Sequence, residues 1–512
     1  MCCSCHTSGI NRREFMGATA LGAAGMTLLS ASAQAKPHLW DPDKPMIRTG
    51  KPLTVQPILL YQISQRREQT SWRPWGAIHT EQDAQEEVQR ITTELETLKK
   101  KADFELTILP LVTVSSMEQA NRVREATNYD VPIVYAASGW TGLLEACYSD
   151  KRSNLMFLRH RSGPIYLWYE IVHNRFLRQG NRVSNLDEYR YPSGMDIYDV
   201  VVDDYNDVLV KLRALYGVHN FLGRKVVALG GSSGWCNPDA PEISREKFGL
   251  DIVHVDYADL EQRIKKARAD RGKIKAAEEA TETYLQLANT TLRTDKQFVI
   301  NGFLLYDIMR DYLKENDAAI FTILECMSTV IPISETTACL PLSLLNDEGY
   351  VAFCESDFNA IPAGILLHYI SGKPVFFNDP TFPHHGLVTC AHCTAPRRMD
   401  GQTYATAHVV THFESDYGAT PKVELPLDTP LTMVCPDGDQ KAWVGFTGSV
   451  IENPFYDICR SQYDIKIDGN WKQLLRDHRG FHWLMACGNY SEELAHACRK
   501  IDIEWDNVSE PV

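Results

Sequence analysis

Between residues 53 and 138 the chain switches repeatedly between two hydrophobic periods. LTVQPILLYQ (53–62) is an apolar, β-branched run of strand length. EQDAQEEVQRITTELETLKKKA (81–102) places Val88, Ile91, Leu95 and Leu98 on one helical face, three or four residues apart. FELTILPLVTV (104–114) predicts another strand, MEQANRVREA a helix, and DVPIVYAAS a third strand. Parallel strands need crossover connections, and a β-α-β-α-β order supplies them, so this stretch predicts a parallel sheet covered by helices.

A second unit of the same kind begins near residue 150. It contains the strand NLMFLRH, the helix IYLWYEIVHNRFLRQ, the strand and turn KVVALGGSSGW (225–235) and the strand DIVHVDY (251–257). Two long helices are expected over 258–290 and 295–315, then a strand AAIFTILE (318–325) and a helical TACLPLSLLNDEG. From 350 one more strand, helix and strand give way to short pieces: GLVTCAHC, HVVTHFES, LTMVCP, AWVGFTGSVI, YDIKI and HWLMACG, then a helix SEELAHACRK. Short strands separated by Gly, Pro and Asp turns read as an antiparallel sheet or barrel. The expected fold class is α/β: α/β domains over 36–149 and 150–349, and a β-rich C-terminal domain over 350–512.

The first 35 residues stand apart. NRREFMGATALGAAGMTLLSASAQA has paired Arg12 and Arg13, a Gly-rich weakly apolar run, and the small-x-small ending Ala33-Gln34-Ala35. This is the pattern of a twin-arginine export signal cleaved after Ala35, which predicts a periplasmic or secreted protein. The run is too short and Gly-rich for a membrane span, and no later segment approaches membrane length. The formal charge of −14 argues against nucleic acid, whose phosphates need Lys and Arg. Of fourteen cysteines, Cys2, Cys3 and Cys5 lie in the leader, where Cys2-Cys3-Ser4-Cys5-His6 formally matches a haem-attachment pattern but would be discarded. The other eleven are scattered through apolar runs and read as buried free thiols.

ALGGSSGW lacks the spacing of a dinucleotide or P-loop turn and reads as a tight strand-to-helix turn, with ligand contact through its amides as the alternative. Cys390-Ala391-His392-Cys393 ends a strand instead of opening a helix, which disfavours a redox pair. With His384 and His385 upstream it is also a weak zinc candidate, since no second C-x-x-C accompanies it. The carboxylates are the stronger signal. Glu325 ends a strand, Glu335 opens a helix-like segment, and Glu355 and Asp357 follow the apolar YVAF directly. His482 begins a strand in GFHWLMACG. Hard oxygen donors with one imidazole suit Mn²⁺ or Mg²⁺; a cap, a strand-end ion pair or a satisfied core histidine is the competing reading of each. Trp72 and Trp75 in SWRPWGAIH read as core packing or as a surface for a sugar ring.

CESDFNAIPAGILLHYISGKPVFFNDP resembles the L-fucose isomerase family within the fucose/arabinose isomerase superfamily: an apolar strand, Glu-x-Asp, a Leu-rich helix, Gly, a strand and an Asp. ALGGSSGWCNPDAPEISREKFGLDIVHVDYADLEQRI (228–264), SLLNDEG, AHCTAP, HFESDYG, CRSQYDIKI and GFHWLMACGNYSEEL (480–494) are similar to other segments of that family, in the same order. The resemblance implies two Rossmann-like α/β domains, an antiparallel C-terminal β-barrel, and a homo-oligomeric aldose–ketose isomerase that binds a monosaccharide. It implies Mn²⁺, or another divalent cation such as Mg²⁺ or Co²⁺, held by Glu335, Asp357 and His482, with Glu325 as the alternative first carboxylate. Glu335 and Asp357 would move protons, and Glu355, His392, His384 and Trp75 would face the sugar. Two alternatives stay open: another metal-assisted enolisation, by an epimerase or lyase, and a non-catalytic carbohydrate-binding protein on the same fold.

Overall fold

The structure is a computed structural model and describes residues 39–177 and 195–510. The expected export signal, its cysteines and the end of the helix expected over 165–179 lie outside the described residues. Residues 39 onward pack as one compact unit.

The first sheet follows the predicted order. Strands β1 (Leu53–Leu60), β2 (Leu106–Ile108), β3 (Val112–Val114), β4 (Val131–Ala136), β5 (Leu155–Leu158) and β6 (Val200–Val202) all pair in parallel. The strand expected over 104–114 is split in two around Pro110, which has no N–H to give to a ladder. The helix Glu81–Lys101 starts in a capping box between Thr80 and Asp83 and buries Ile91, Leu95 and Leu98. β5 and β6 correct the boundary expected at 149, since both hydrogen-bond into this first sheet.

The second parallel sheet has the order β11-β10-β7-β8, from β7 (Lys225–Leu229), β8 (Asp251–Val255), β10 (Ile320–Ile323) and β11 (Val351–Phe353). β11 was expected to open the C-terminal region, but its apolar Val351–Phe353 completes this sheet beside β10. The helix expected over 258–290 is two helices, Tyr257–Ala269 and Arg271–Leu285. Asp270 divides them by accepting the amides of Gly272 and Lys273, a cap that starts a new helix.

Beyond 375 the antiparallel expectation holds. The strands β12 (Phe376–Pro380), β13 (Leu387–His392), β16 (Pro430–Pro436), β17 (Ala442–Glu452), β18 (Ser461–Ile467) and β19 (Trp483–Cys487) run in the order β16-β19-β12-β13-β18-β17. Pairing of β16 with β17 closes this ring into a six-stranded antiparallel barrel. A last strand, β20 (Glu504–Asn507), adds in parallel to β17. A small separate sheet joins β9 (Thr290–Leu292), β14 (Thr406–Val410) and β15 (Thr420–Glu424). Among the described residues, no helix is long and apolar enough to cross a membrane.

Candidate active site

The carboxyl ends of β7 and β11 meet one end of the barrel. β11 runs into Cys354-Glu355-Ser356-Asp357, where Glu355 (φ 63°) and Ser356 (φ 45°) both adopt the left-handed conformation. Consecutive non-glycine residues there cost on the order of 1–3 kcal/mol each, and such strain persists only where surrounding bonds over-determine it. The Gly-rich turn after β7 supplies those bonds. The Ser233 amide donates to the Ser356 carbonyl (3.0 Å), its hydroxyl to the Glu355 carbonyl (3.1 Å), and the Phe358 amide to the Ser233 carbonyl (2.9 Å). Gly234 is required in that turn, because a Cβ would lie 2.0 Å from the Asn237 carbonyl oxygen.

The double left-handed turn sends two carboxylates to different tasks. Asp357 is fully buried and fully occupied. Its Oδ1 accepts the amides of Trp235 (3.0 Å) and Asn359 (3.1 Å), and its Oδ2 accepts the His482 Nδ1 hydrogen at 2.7 Å. Glu355 instead reaches the open side: Oε2 is 3.3 Å from His482 Nε2, and Oε1 is 3.4 Å from His392 Nε2.

The barrel contributes the facing groups from three neighbouring strands. Asp379 lies on β12 opposite Ala391 of β13, and His392 ends β13. His482 immediately precedes β19, whose Trp483 pairs with Asn378 of β12. This common register brings Asp379 Oδ1 to 3.3 Å from His482 Nε2. Phe377 backs the His482 ring (centroids 4.3 Å), while Trp235 and Phe481 meet it edge-on at 5.3 and 4.8 Å. Those two aromatics stack on each other at 4.9 Å, nearly parallel, and both are exposed.

Charge follows this geometry. Burial works to raise the Glu355 carboxyl, but the rings of His392 and His482 outweigh it and hold it well below the usual carboxylate range. Burial raises the Asp379 carboxyl, and the two histidines only partly offset this. Burial works to lower His392, yet Glu355 and Asp379 push it up to about 10. His482 is raised in the same way, with burial overcome by Asp357 and Glu355.

The structure therefore unites Asp357 and His482 as expected but gives Asp357 a different task. Both its oxygens are spent on hydrogen bonds, so it orients the imidazole and leaves Nε2 facing Glu355 and Asp379. Glu335 is not brought to this cluster. It caps a single helical turn at φ 51°, is exposed, and pairs with Arg268 at 2.6 Å. Glu325 is likewise exposed, in a left-handed position just beyond β10. His392 is buried at the end of β13, its Nε2 3.4 Å from Glu355 Oε1. His384 is on an exposed turn, its ring bonded to the Phe382 carbonyl (3.0 Å). Trp75 is exposed and stacks on Tyr169 (6.5 Å). Cys390 packs in the barrel core while Cys393 lies past the strand end, so the C-x-x-C does not act as one unit. Asp379 was missed as a site residue; its signal was a carboxylate inside the apolar FFNDP. Among the described residues, no group of three or more His, Cys, Asp or Glu side chains is arranged to hold a metal ion. No protein-family model matches the chain, and no curated protein matches it.

Proposed function

We propose that this chain is an exported, metal-dependent aldose–ketose isomerase of the L-fucose isomerase kind, with Glu355, Asp379 and His482 as the cation's ligands. One observation carries the reading. His482 Nε2 and Asp379 Oδ1 are buried, face each other at 3.3 Å, and make no hydrogen bond. Buried polar atoms without partners are costly unless something else satisfies them. With Glu355 Oε2 also 3.3 Å from Nε2, the donors are two carboxylates and one imidazole, a set suited to Mn²⁺, Mg²⁺ or Co²⁺.

A bound divalent cation supplies Lewis-acid polarisation of the sugar oxygens and tolerance of the negative charge of an ene-diolate. The chain's own groups do the rest. Asp357 keeps the hydrogen of His482 on Nδ1, so Nε2 presents its lone pair. His392 steadies Glu355 at Oε1. Glu355 and Asp379 are each about one-third exposed at the side chain, so both reach a substrate. One takes the proton from C2 and returns it at C1, and the other moves the proton between O1 and O2. The exposed Trp235–Phe481 stack offers a flat wall for the apolar face of a sugar. On the same reading, the two parallel sheets are two Rossmann-like units, and the mature chain acts outside the cytoplasm as a homo-oligomer.

The test is a panel of aldoses incubated with the mature protein and Mn²⁺ in D₂O. Ketose formation with deuterium at C1 of the ketose and at C2 of the recovered aldose is expected, lost in Glu355→Gln and Asp379→Asn. Deuterium exchange without ketose would move the reading to another enolisation, and sugar binding with neither would reject catalysis.

A further inference from the structure

A cavity of about 370 Å³ shares no lining residue with the candidate active site. It forms where the chain entering β1 crosses the helices Tyr205–Phe221 and Ile361–Ser371. Gly50 allows the crossing, since a Cβ there would lie 2.1 Å from the Tyr216 hydroxyl oxygen. Phe104, Tyr216 and Tyr369 supply apolar wall, and Asp103, the single acid in the lining, is paired with Arg213 at 2.6 Å. Two cations in the lining have no such pairing. Arg398 is buried, only 7% exposed. Its Nη1 donates to the main-chain carbonyls of Lys44 (3.1 Å) and Asp347 (3.3 Å), and its Nε has no partner. The Asp347 carboxylate accepts the Arg398 main-chain amide instead, at 2.7 Å. Arg48 is an exposed part of the lining. Among the described residues, neither guanidinium has a carboxylate within ion-pair reach, and a buried charge without a counter-charge is costly. His368 completes the polar set. Its Nδ1 faces the Lys373 carbonyl at 2.9 Å. A carbonyl only accepts, so Nδ1 carries the hydrogen and Nε2 offers a lone pair that has no partner among the described residues.

We propose that this cavity is a binding site for the phosphate monoester of a small polyol, separate from the isomerase site. A phosphate monoester carries nearly two negative charges at neutral pH, which matches two guanidiniums without acids, and the planar guanidinium fork fits phosphate oxygens. A monocarboxylate would leave one guanidinium unmatched, and a neutral polyol would leave both. His368 Nε2 accepts a hydroxyl of the polyol. Burial pushes that imidazole down to about 4, so the ring is neutral and keeps its lone pair. The aromatic wall takes the carbon chain, and the volume suits a small molecule.

The test is calorimetric titration of the mature protein with glycerol 3-phosphate, methyl phosphate and glycerol. Glycerol 3-phosphate should bind, methyl phosphate, which has no carbon-borne hydroxyl, should bind roughly fivefold more weakly, and glycerol should give no measurable binding. Arg48→Gln and Arg398→Gln should each weaken both phosphates by roughly tenfold or more. His368→Phe should bring glycerol 3-phosphate down to the affinity of methyl phosphate. Arg48 is exposed, so its variant keeps the test decisive if replacing either buried side chain unfolds the chain. No binding of glycerol 3-phosphate at millimolar concentration, equal affinity of the wild type for the two phosphates, or undiminished binding in Arg48→Gln would overturn the proposal.

Discussion

Asp357→Asn separates the orienting role of this residue from a ligand role. In the wild type, Oδ1 accepts two amides, at 3.0 and 3.1 Å, and Oδ2 faces His482 Nδ1 at 2.7 Å. An asparagine keeps both amide bonds only by placing its oxygen at the Oδ1 position. Its NH₂ then points at His482 Nδ1, which must become the acceptor, and the ring hydrogen moves to Nε2. Flipping the amide restores the original tautomer but forfeits two backbone hydrogen bonds, about 1 kcal/mol each. Presenting a lone pair at Nε2 therefore costs roughly 2 kcal/mol, which predicts a dissociation constant for Mn²⁺ about 30-fold higher. That falls within the roughly 10–100-fold losses typical when the group behind a metal-bound histidine is changed. Calorimetric titration of Mn²⁺ into wild type and variant measures it, and ¹⁵N spectra of the His482 ring report the tautomer. Affinity within threefold of wild type in a folded variant, or a ring hydrogen still on Nδ1, would refute the reasoning.

Three further outcomes are expected. Glu335→Gln should leave Mn²⁺ affinity and turnover unchanged and shift stability by no more than about 1 kcal/mol, because it loses only an exposed pair with Arg268; a thermal melt and an activity assay suffice. Trp235→Ala should raise KM roughly 2- to 10-fold with little change in kcat, the worth of one aromatic contact of about 0.5–1.5 kcal/mol, and a kcat loss with KM unchanged would contradict a stacking wall. Asp347 is buried near Arg397 and Arg398, its Oδ1 accepting the Arg398 amide at 2.7 Å and its Oδ2 unpartnered, and burial pushes its carboxyl up to about 7. A raised carboxyl favours the acid in the fold, so its contribution is complete below the unfolded value of 3.8 and is lost as pH rises through about 7. The gap between Asp347→Asn and wild type should widen in the variant's favour from pH 4 to pH 8, by on the order of 4 kcal/mol at most, and parallel urea midpoints at both pH values would contradict this.

The architecture was legible where hydrophobic period is unambiguous. The first sheet, the helix Glu81–Lys101 and the barrel all follow from period and turn residues. What failed was assignment of a strand to its sheet. β5, β6 and β11 are short apolar segments whose sequence is satisfied in any parallel sheet. Their partners, β4, β5 and β10, are chosen by the path of the chain through tertiary space, which a local pattern does not encode. The divided helix near 270 was readable in principle, since Asp270 followed by Gly272 is a cap signal inside a helical pattern.

The candidate site shows the same limit at the scale of one side chain. Strand-end reasoning pointed to the turn after β11, and the Glu-x-Asp spacing suggested that both carboxylates mattered. In an extended chain, residues i and i+2 share a face, so nothing in the spacing says that one of the pair must turn away. Here Glu355 and Ser356 are both left-handed, which breaks that relation and aims Glu355 outward while Asp357 stays beneath the imidazole. The signal for that turn lay elsewhere, in the SSG of the turn after β7, whose Ser233 grips the carbonyls of Glu355 and Ser356. Asp379 follows from the same logic applied to the barrel. A carboxylate within a strand that is otherwise buried must meet compensating charge, and the antiparallel register of β12 with β13 and β19 delivers it as His392 and His482. The orienting carboxylate and the outward pair are thus set by two backbone facts, a strained turn and a strand register.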